Sequence, residues 1–244
     1  SLPIYKQDTD IVLSKIHLYP KNTTNKIPFD KEITSQKNGE KQTDFSIGQI
    51  IDYKLKTTIP ADIAATKLNK DGEAKKLYNV FQFVDTFKTD QLSFINDDET
   101  FSVAVAGVTL TNVEDEHYTV TVARDEVAGT TTVTTALTAA GIDELATHAN
   151  KEITFDYKMK INSLEYIDTG IVNTAQAIFG NDGTTGVDKW DAETPTDFET
   201  VKTGGYKFVK VDVNNNDKTL AGAEFFVRKS TAADAEYFVA TADG

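Results

Sequence analysis

The chain has 244 residues, no cysteine, and 38 acidic against 25 basic side chains, for a formal charge of −13 and a pI near 4.7. Disulfides, thiolate metal sites and a cysteine nucleophile are thereby excluded, and the acidic balance argues against nucleic acid, whose phosphates need a basic face. With 39% hydrophobic and 26% charged residues the sequence is that of a globular protein large enough for one large or two ordinary domains, and no apolar run approaches a membrane span.

In chain order, the opening Ser1-Leu2-Pro3-Ile4-Tyr5 has no basic start before an apolar core, so it is not a signal peptide. Residues 10–19 alternate as a strand, with Ile16 and Leu18 on one face and Lys15 and His17 on the other; Pro20 ends it, and Lys21 shares the exposed parity. Residues 22–26 are a polar connector. Strands are then expected over 27–33, 47–59, 80–87, 92–94, 101–110, 118–123, 130–135, 151–161, 170–179 and 198–202. Residues 62–76, rich in Ala and Lys with an Asp71-Gly72 turn signal, read as a short helix and loop. One helix is expected over 138–150, with Ile142, Leu145 and Ala149 on one face. Residues 180–195 read as a long polar loop or hairpin tip. After Thr203-Gly204-Gly205, strands at 206–213 and 221–228 are expected to pair around Asn214-Asn215-Asn216-Asp217. Many short strands separated by turns indicate a mainly β chain of tandem sandwiches rather than a βαβ sheet. The end at Gly244 follows closely on the strand-like stretch 237–240, and both ends read as edges of a longer protein.

Strand parity singles out three polar residues on apolar faces. Lys31 falls with Phe29 and Ile33, Asp85 with Phe81, Phe83 and Phe87, and Asn173 with Ile171, Ala175 and Ala177. A buried ammonium is costly and tends to lose its proton. The neutral amine can attack the Asn173 carboxamide carbon, expel ammonia and leave a Lys–Asn isopeptide bond. An acid among phenylalanines is expected to hold a proton, donate to the amide oxygen and shuttle a proton to the leaving nitrogen. Three independent, satisfied core residues are the plainer alternative.

Further segments resemble the pilins of Gram-positive sortase-assembled pili. Tyr19-Pro20-Lys21-Asn22 looks like their pilin motif. Phe29-Asp30-Lys31, Val84-Asp85-Thr86-Phe87 and Val172-Asn173-Thr174-Ala175 look like the lysine, acid and asparagine elements of a middle domain. Phe208-Val209-Lys210-Val211-Asp212 followed by Leu220-Ala221-Gly222-Ala223-Glu224-Phe225 is similar to the start of a collagen-adhesin B-type, Ig-like domain. The resemblance implies that residues 1–25 end an N-terminal domain and carry the pilin motif, 26–202 form a crosslinked middle sandwich, and 203–244 begin a truncated C-terminal B-type domain. It implies that a pilin-specific sortase joins Lys21 to the next subunit, that Asp85 catalyses a Lys31–Asn173 crosslink, and that Lys210 and catalytic Glu224 begin a second one. It further implies an extracellular, cell wall-attached pilus subunit supporting adhesion, with other pilin subunits, the sortase and host surface ligands as partners. Such a protein is not an enzyme beyond its single-turnover crosslinking. The alternative is a monomeric wall-anchored adhesin built from the same stapled sandwiches.

Other chemistry is weaker. Asp212-x-Asn214-x-Asn216 has Asp217 where a calcium loop needs glycine and Ala223 where it needs glutamate. His17, His117 and His148 have no ligand spacing, and no phosphate loop or serine nucleophile motif appears. Trp190, in a polar stretch, is the one hint of a polysaccharide platform. No metal and no cofactor is expected.

Overall fold

The computed structural model of the protein describes residues 27–42, 44–69, 71–97, 100–112, 116–163, 169–203, 210–222, 231–232 and 235. In chain order its strands are β1 (Phe29–Ile33), β2 (Gln36–Lys37), β3 (Glu40–Lys41), β4 (Asp44–Phe45), β5 (Ile50–Thr58), β6 (Thr66–Leu68) and β7 (Ala74–Lys76). There follow β8 (Val80–Lys88), β9 (Leu92–Phe94), β10 (Ser102–Val105), β11 (Val108–Thr109), β12 (Tyr118–Asp125) and β13 (Thr130–Leu137). After the helix α1 (Ala139–Ala146) come β14 (Glu152–Ile161), β15 (Ile171–Asn181), β16 (Trp190–Glu193), β17 (Asp197–Thr203), β18 (Val211–Asp212) and β19 (Asn215–Thr219).

Two sheets hold the core. One runs β1-β5-β14-β10-β11, with β9 also on β14; the other runs β12-β13-β8-β15-β17-β4, with β16 on β15. Their ladders are antiparallel except for the short parallel β17–β4 pair. Alternation is strict in the long strands: β5, β8 and β14 bury every second residue. The inward set from one sheet includes Tyr53, Leu55, Val103, Phe155 and Tyr157, and from the other Phe81, Phe83, Phe87, Val133 and Ala177. Each such large side chain removed from water contributes about 1.5–3 kcal/mol. Stacked rings cross the middle, with centroids 6.2 Å apart for Phe83–Phe155, 4.9 Å for Phe155–Tyr157 and 5.5 Å for Tyr53–Tyr157.

The outer face of the first sheet carries cross-strand charge pairs instead. Lys56 meets Asp30 at 2.9 Å and Glu32 at 3.1 Å, Lys54 meets Asp156 at 3.3 Å, and Lys158 meets Asp52. This is why Lys31, on the opposite parity of the same short strand, stands out.

Several local expectations are corrected. Residues 62–76 contain the hairpin β6–β7 rather than a helix: Leu68 pairs with Ala74, and Asn69 Oδ1 accepts from the Asp71 and Glu73 amides to shape the turn. The stretch 101–110 is not one strand but the hairpin β10–β11, because Ala106 and Gly107 adopt φ of 50° and 83° and reverse the chain. The helix is shorter than 138–150. Thr138 caps its start through Gly141 N, Thr147 closes its end, and Asn150 at φ 63° turns the chain into β14. Residues 180–195 are partly ladder, since β16 folds back on β15; a Cβ at Gly180 would lie 2.2 Å from the Trp190 carbonyl, so only glycine allows that approach. The last hairpin turns at Val213-Asn214, earlier than expected, and Asn215, Asn216 and Asp217 belong to β19. The short strands β2, β3 and β4 are too brief to show alternation and were not anticipated from sequence.

Candidate functional site

Lys31 sits on β1, at the edge of the first sheet, opposite Leu55 of β5. Asp85 and Asn173 sit on neighbouring strands of the second sheet. The β8–β15 register sets Asp85 opposite Ala175 and Asn173 opposite Phe87, so acid and amide are diagonal neighbours on one face. Small Ala175 beside Asp85 leaves room for a long side chain to arrive from the facing sheet, about 10 Å away. The lysine stem is long enough to cross that gap, and it does.

The three residues meet in the interior, 2%, 1% and 0% exposed. Lys31 Nζ donates to Asp85 Oδ2 at 2.9 Å, and Asn173 Nδ2 donates to the same oxygen at 3.4 Å. Amine and amide nitrogen thus share one carboxylate oxygen. Two tyrosines complete the shell. Lys31 Nζ lies 2.5 Å from the Tyr157 hydroxyl, which itself donates to Asp85 Oδ2, and 4.7 Å from the centre of the Tyr53 ring. Burial pushes the Lys31 amine below the ordinary lysine value, against the opposing pull of Asp85, then of Glu199 and Asp197. Burial, then the Asp85 charge, pushes both tyrosine hydroxyls up, so they stay protonated. Among the described residues, Asp85 Oδ1, Asn173 Oδ1 and the Tyr53 hydroxyl lack hydrogen-bond partners. Orphaned buried atoms cost about 1–3 kcal/mol each, and their clustering marks a site that is not optimised for stability alone.

The strand that brings Lys31 is fixed by side chains on its outer edge. Lys31 N donates to Asp197 Oδ2 at 2.8 Å and Ile33 N to Glu199 Oε1 at 3.3 Å, both acceptors on β17. Glu199 also holds Lys41 Nζ at 2.8 Å. These carboxylates do for β1 what another strand would do, and tie the two sheets together beside the lysine.

Of the other expected site residues, Lys210 alone is among the described residues. Lys210 is exposed, its backbone carbonyl accepting from Leu220 N beside the β18–β19 hairpin. Tyr19, Pro20, Lys21, Asn22 and Glu224 lie outside the described residues. Trp190 is no open platform: it packs edge-on against Tyr78 and donates to the Leu77 carbonyl. Asp212 Oδ1 is engaged by Asn214 N, as in a turn. Among the described residues no cluster of metal-ligating side chains occurs. Sequence reasoning missed Tyr157 and Tyr53 as site residues, and Asp197 and Glu199 as clamps. The tyrosines carried a usable signal, since an inward Tyr hydroxyl needs a partner; the clamps carried none.

Two facing antiparallel sheets with a lysine, an acid and an amide between them define a polar-cored β-sandwich. Scans against family models and curated proteins return no match. Among solved structures, the chain is similar to the 35 kDa C-terminal fragment of the major pilin GBS80 of Streptococcus agalactiae, with 21% identity over 80% of this chain and 62% of that one, and a TM-score of 0.53. It is also aligned with the full-length major pilin SpaD from Corynebacterium diphtheriae (20% identity, 80% of this chain, 39% of that one, TM-score 0.46). A third alignment is with BcpA, the major pilin subunit of Bacillus cereus (20%, 79% and 45%, TM-score 0.45). The first likeness carries the fold: this chain is pilin-like in architecture, and it spans less than two thirds of that fragment's length.

Proposed function

We propose that this protein is a structural subunit of a covalently assembled Gram-positive surface pilus, whose sandwich staples itself by an isopeptide bond between Lys31 and Asn173. The observation that carries the reading is the shared oxygen. Asp85 Oδ2 holds both the amine that would attack and the amide nitrogen that would leave. Passing a proton from the Lys31 ammonium to Asp85 creates a nucleophile and an acid at once, in a site closed to water. Proximity between two sheets supplies much of the acceleration. The pilin-like fold supports the structural role.

In the same reading, a pilin-specific sortase joins the Lys21 amine to the next subunit head to tail, Lys210 and Glu224 begin a second crosslink, and the assembled fibre stands outside the cell, attached to the wall, and supports adhesion. The chemistry happens once per molecule, so the protein is a substrate of its own site rather than a turnover enzyme. Intact mass tests the staple: the folded protein should weigh one ammonia less than its sequence, and a peptide joining Lys31 to Asn173 should appear after digestion. Full mass with no joined peptide refutes it. Incubation with the sortase tests assembly: covalent ladders should form and vanish in Lys21→Ala. A stapled chain that never forms ladders would instead behave as a monomeric wall-anchored adhesin.

A further inference from the structure

We propose that Tyr157 is a further catalytic residue of this site, relaying the lysine's proton to Asp85 while Asp85 serves the departing nitrogen. The inference rests on the Lys31–Asn173 reading and deepens it.

The argument starts from a conflict. Three donors converge on Asp85 Oδ2: Lys31 Nζ, Asn173 Nδ2 and the Tyr157 hydroxyl. When the amine has added to the Asn173 carboxamide carbon, two proton transfers are needed. The departing nitrogen must gain a proton, and the attacking nitrogen must lose one. One carboxyl oxygen cannot deliver to the first and receive directly from the second in the same motion. Tyr157 resolves the conflict, because its oxygen accepts from Lys31 Nζ at 2.5 Å while its hydrogen already points at Asp85 Oδ2.

The step balances as follows. It begins with neutral Lys31, protonated Asp85 and neutral Tyr157. The Nζ lone pair forms the bond to the Asn173 carbon, and the carbonyl π pair moves to oxygen. Asp85 gives its proton to the amide nitrogen, the carbonyl re-forms, the old carbon–nitrogen bond breaks and ammonia leaves. The surplus proton on Nζ passes to the Tyr157 oxygen as the tyrosine's own hydrogen passes to Asp85 Oδ2. The products are the new amide, ammonia, protonated Asp85 and an unchanged tyrosine.

The surroundings suit a relay rather than a base. Tyr157 lies stacked between Tyr53 and Phe155, which fixes its ring, and burial keeps its hydroxyl protonated. The charged or titratable groups facing it are Lys31 of β1, Asp85 of β8 and Tyr53 of β5. Tyr78 is likewise a buried tyrosine packed on an aromatic ring, Phe179, but its hydroxyl donates to a different carboxylate, Asp62 Oδ1 at 2.6 Å. It is therefore the matched control.

The test uses the full chain, pulse-expressed and sampled over time by intact mass in water and in deuterium oxide, for wild type, Tyr157→Phe and Tyr78→Phe. Near-UV circular dichroism checks that each variant folds. Wild type should lose ammonia quickly; Tyr157→Phe should fold yet lose it on the order of 100-fold more slowly, with a smaller solvent isotope effect because one proton in flight is gone. Tyr78→Phe should stay near the wild-type rate. If Tyr157→Phe fails to fold, 3-fluorotyrosine at position 157 keeps the shape and changes only the hydroxyl's acidity, and the rate should change with it. The relay is overturned if Tyr157→Phe or the fluorotyrosine chain keeps the wild-type rate, or if Tyr78→Phe is slowed as much as Tyr157→Phe. A wild type that never loses ammonia overturns the crosslink itself, a distinct outcome.

Discussion

Lys31 and Lys210 were assigned the same chemical role from sequence, yet their surroundings have little in common. Lys31 lies between two sheets, shielded by Tyr53 and Tyr157 and bonded to an acid from the opposite layer. Lys210 stands exposed next to a two-stranded hairpin whose β19 is exposed along its length. The difference is one of enclosure: Lys31 is covered by a second sheet that carries an acid and an amide, whereas Lys210 is exposed.

The largest effect expected from breaking this contrast is at the buried pair. Lys31→Ala and Asn173→Ala should each retain the ammonia in intact mass and lose the stabilisation of a very long closed loop, about 5 kcal/mol by the loop-entropy relation for crosslinks. For a chain of this size that is roughly 10–20 °C in Tm by calorimetry. Asp85→Ala should also keep its ammonia, and adds the cost of an unpaired buried ammonium, about 3–5 kcal/mol; a fully crosslinked Asp85→Ala protein would remove Asp85 from the chemistry.

A smaller effect separates the stapled from the unstapled molecule by pH. In Asn173→Ala the Lys31 amine still titrates, and its folded value lies below the ordinary 10.5. The unfolded chain then binds more protons between those two values, so stability rises with pH through that window, by at most about 1.4 kcal/mol per pH unit. In the crosslinked wild type the amine has become an amide and that contribution is gone. Denaturant melts of both proteins across the alkaline range should differ in slope in that direction; parallel slopes would mean that the wild-type amine is still free.

Smaller again, Asp197→Ala should weaken the fastening of β1 by about 1.5–3 kcal/mol, the worth of a hydrogen bond to a charged group, read as faster exchange of the Lys31 amide. At the bottom of the scale, Lys210→Ala should change stability by no more than about 0.5 kcal/mol and leave the ammonia loss intact.

The sandwich was legible because its long strands alternate so strictly. Val80–Lys88 and Glu152–Ile161 bury every second residue over most of their length, and that periodicity exposed the polar intruders. The clamps were not legible. Asp197 and Glu199 look like ordinary solvated acids on β17, and they matter only because the fold lays β1 alongside. The hairpins β6–β7 and β10–β11 were hidden for a related reason: two to four residues per arm cannot display a period, so the turns decided them, at Asn69 and Gly72 for the first and at Ala106 and Gly107 for the second.

The placement of Lys31 in the first described strand and of Asn173 near the start of β15 has a consequence for a fibre under tension. Once the two are joined, a pull entering at β1 passes through the new amide into β15 and bypasses everything between. Residues 32–172, which at about 3.5 Å each would pay out roughly 500 Å of slack if unravelled, never enter the load path. Such a subunit would transmit force as a nearly inextensible link, while the strands and helix between the two crosslinked residues rode on it unstressed.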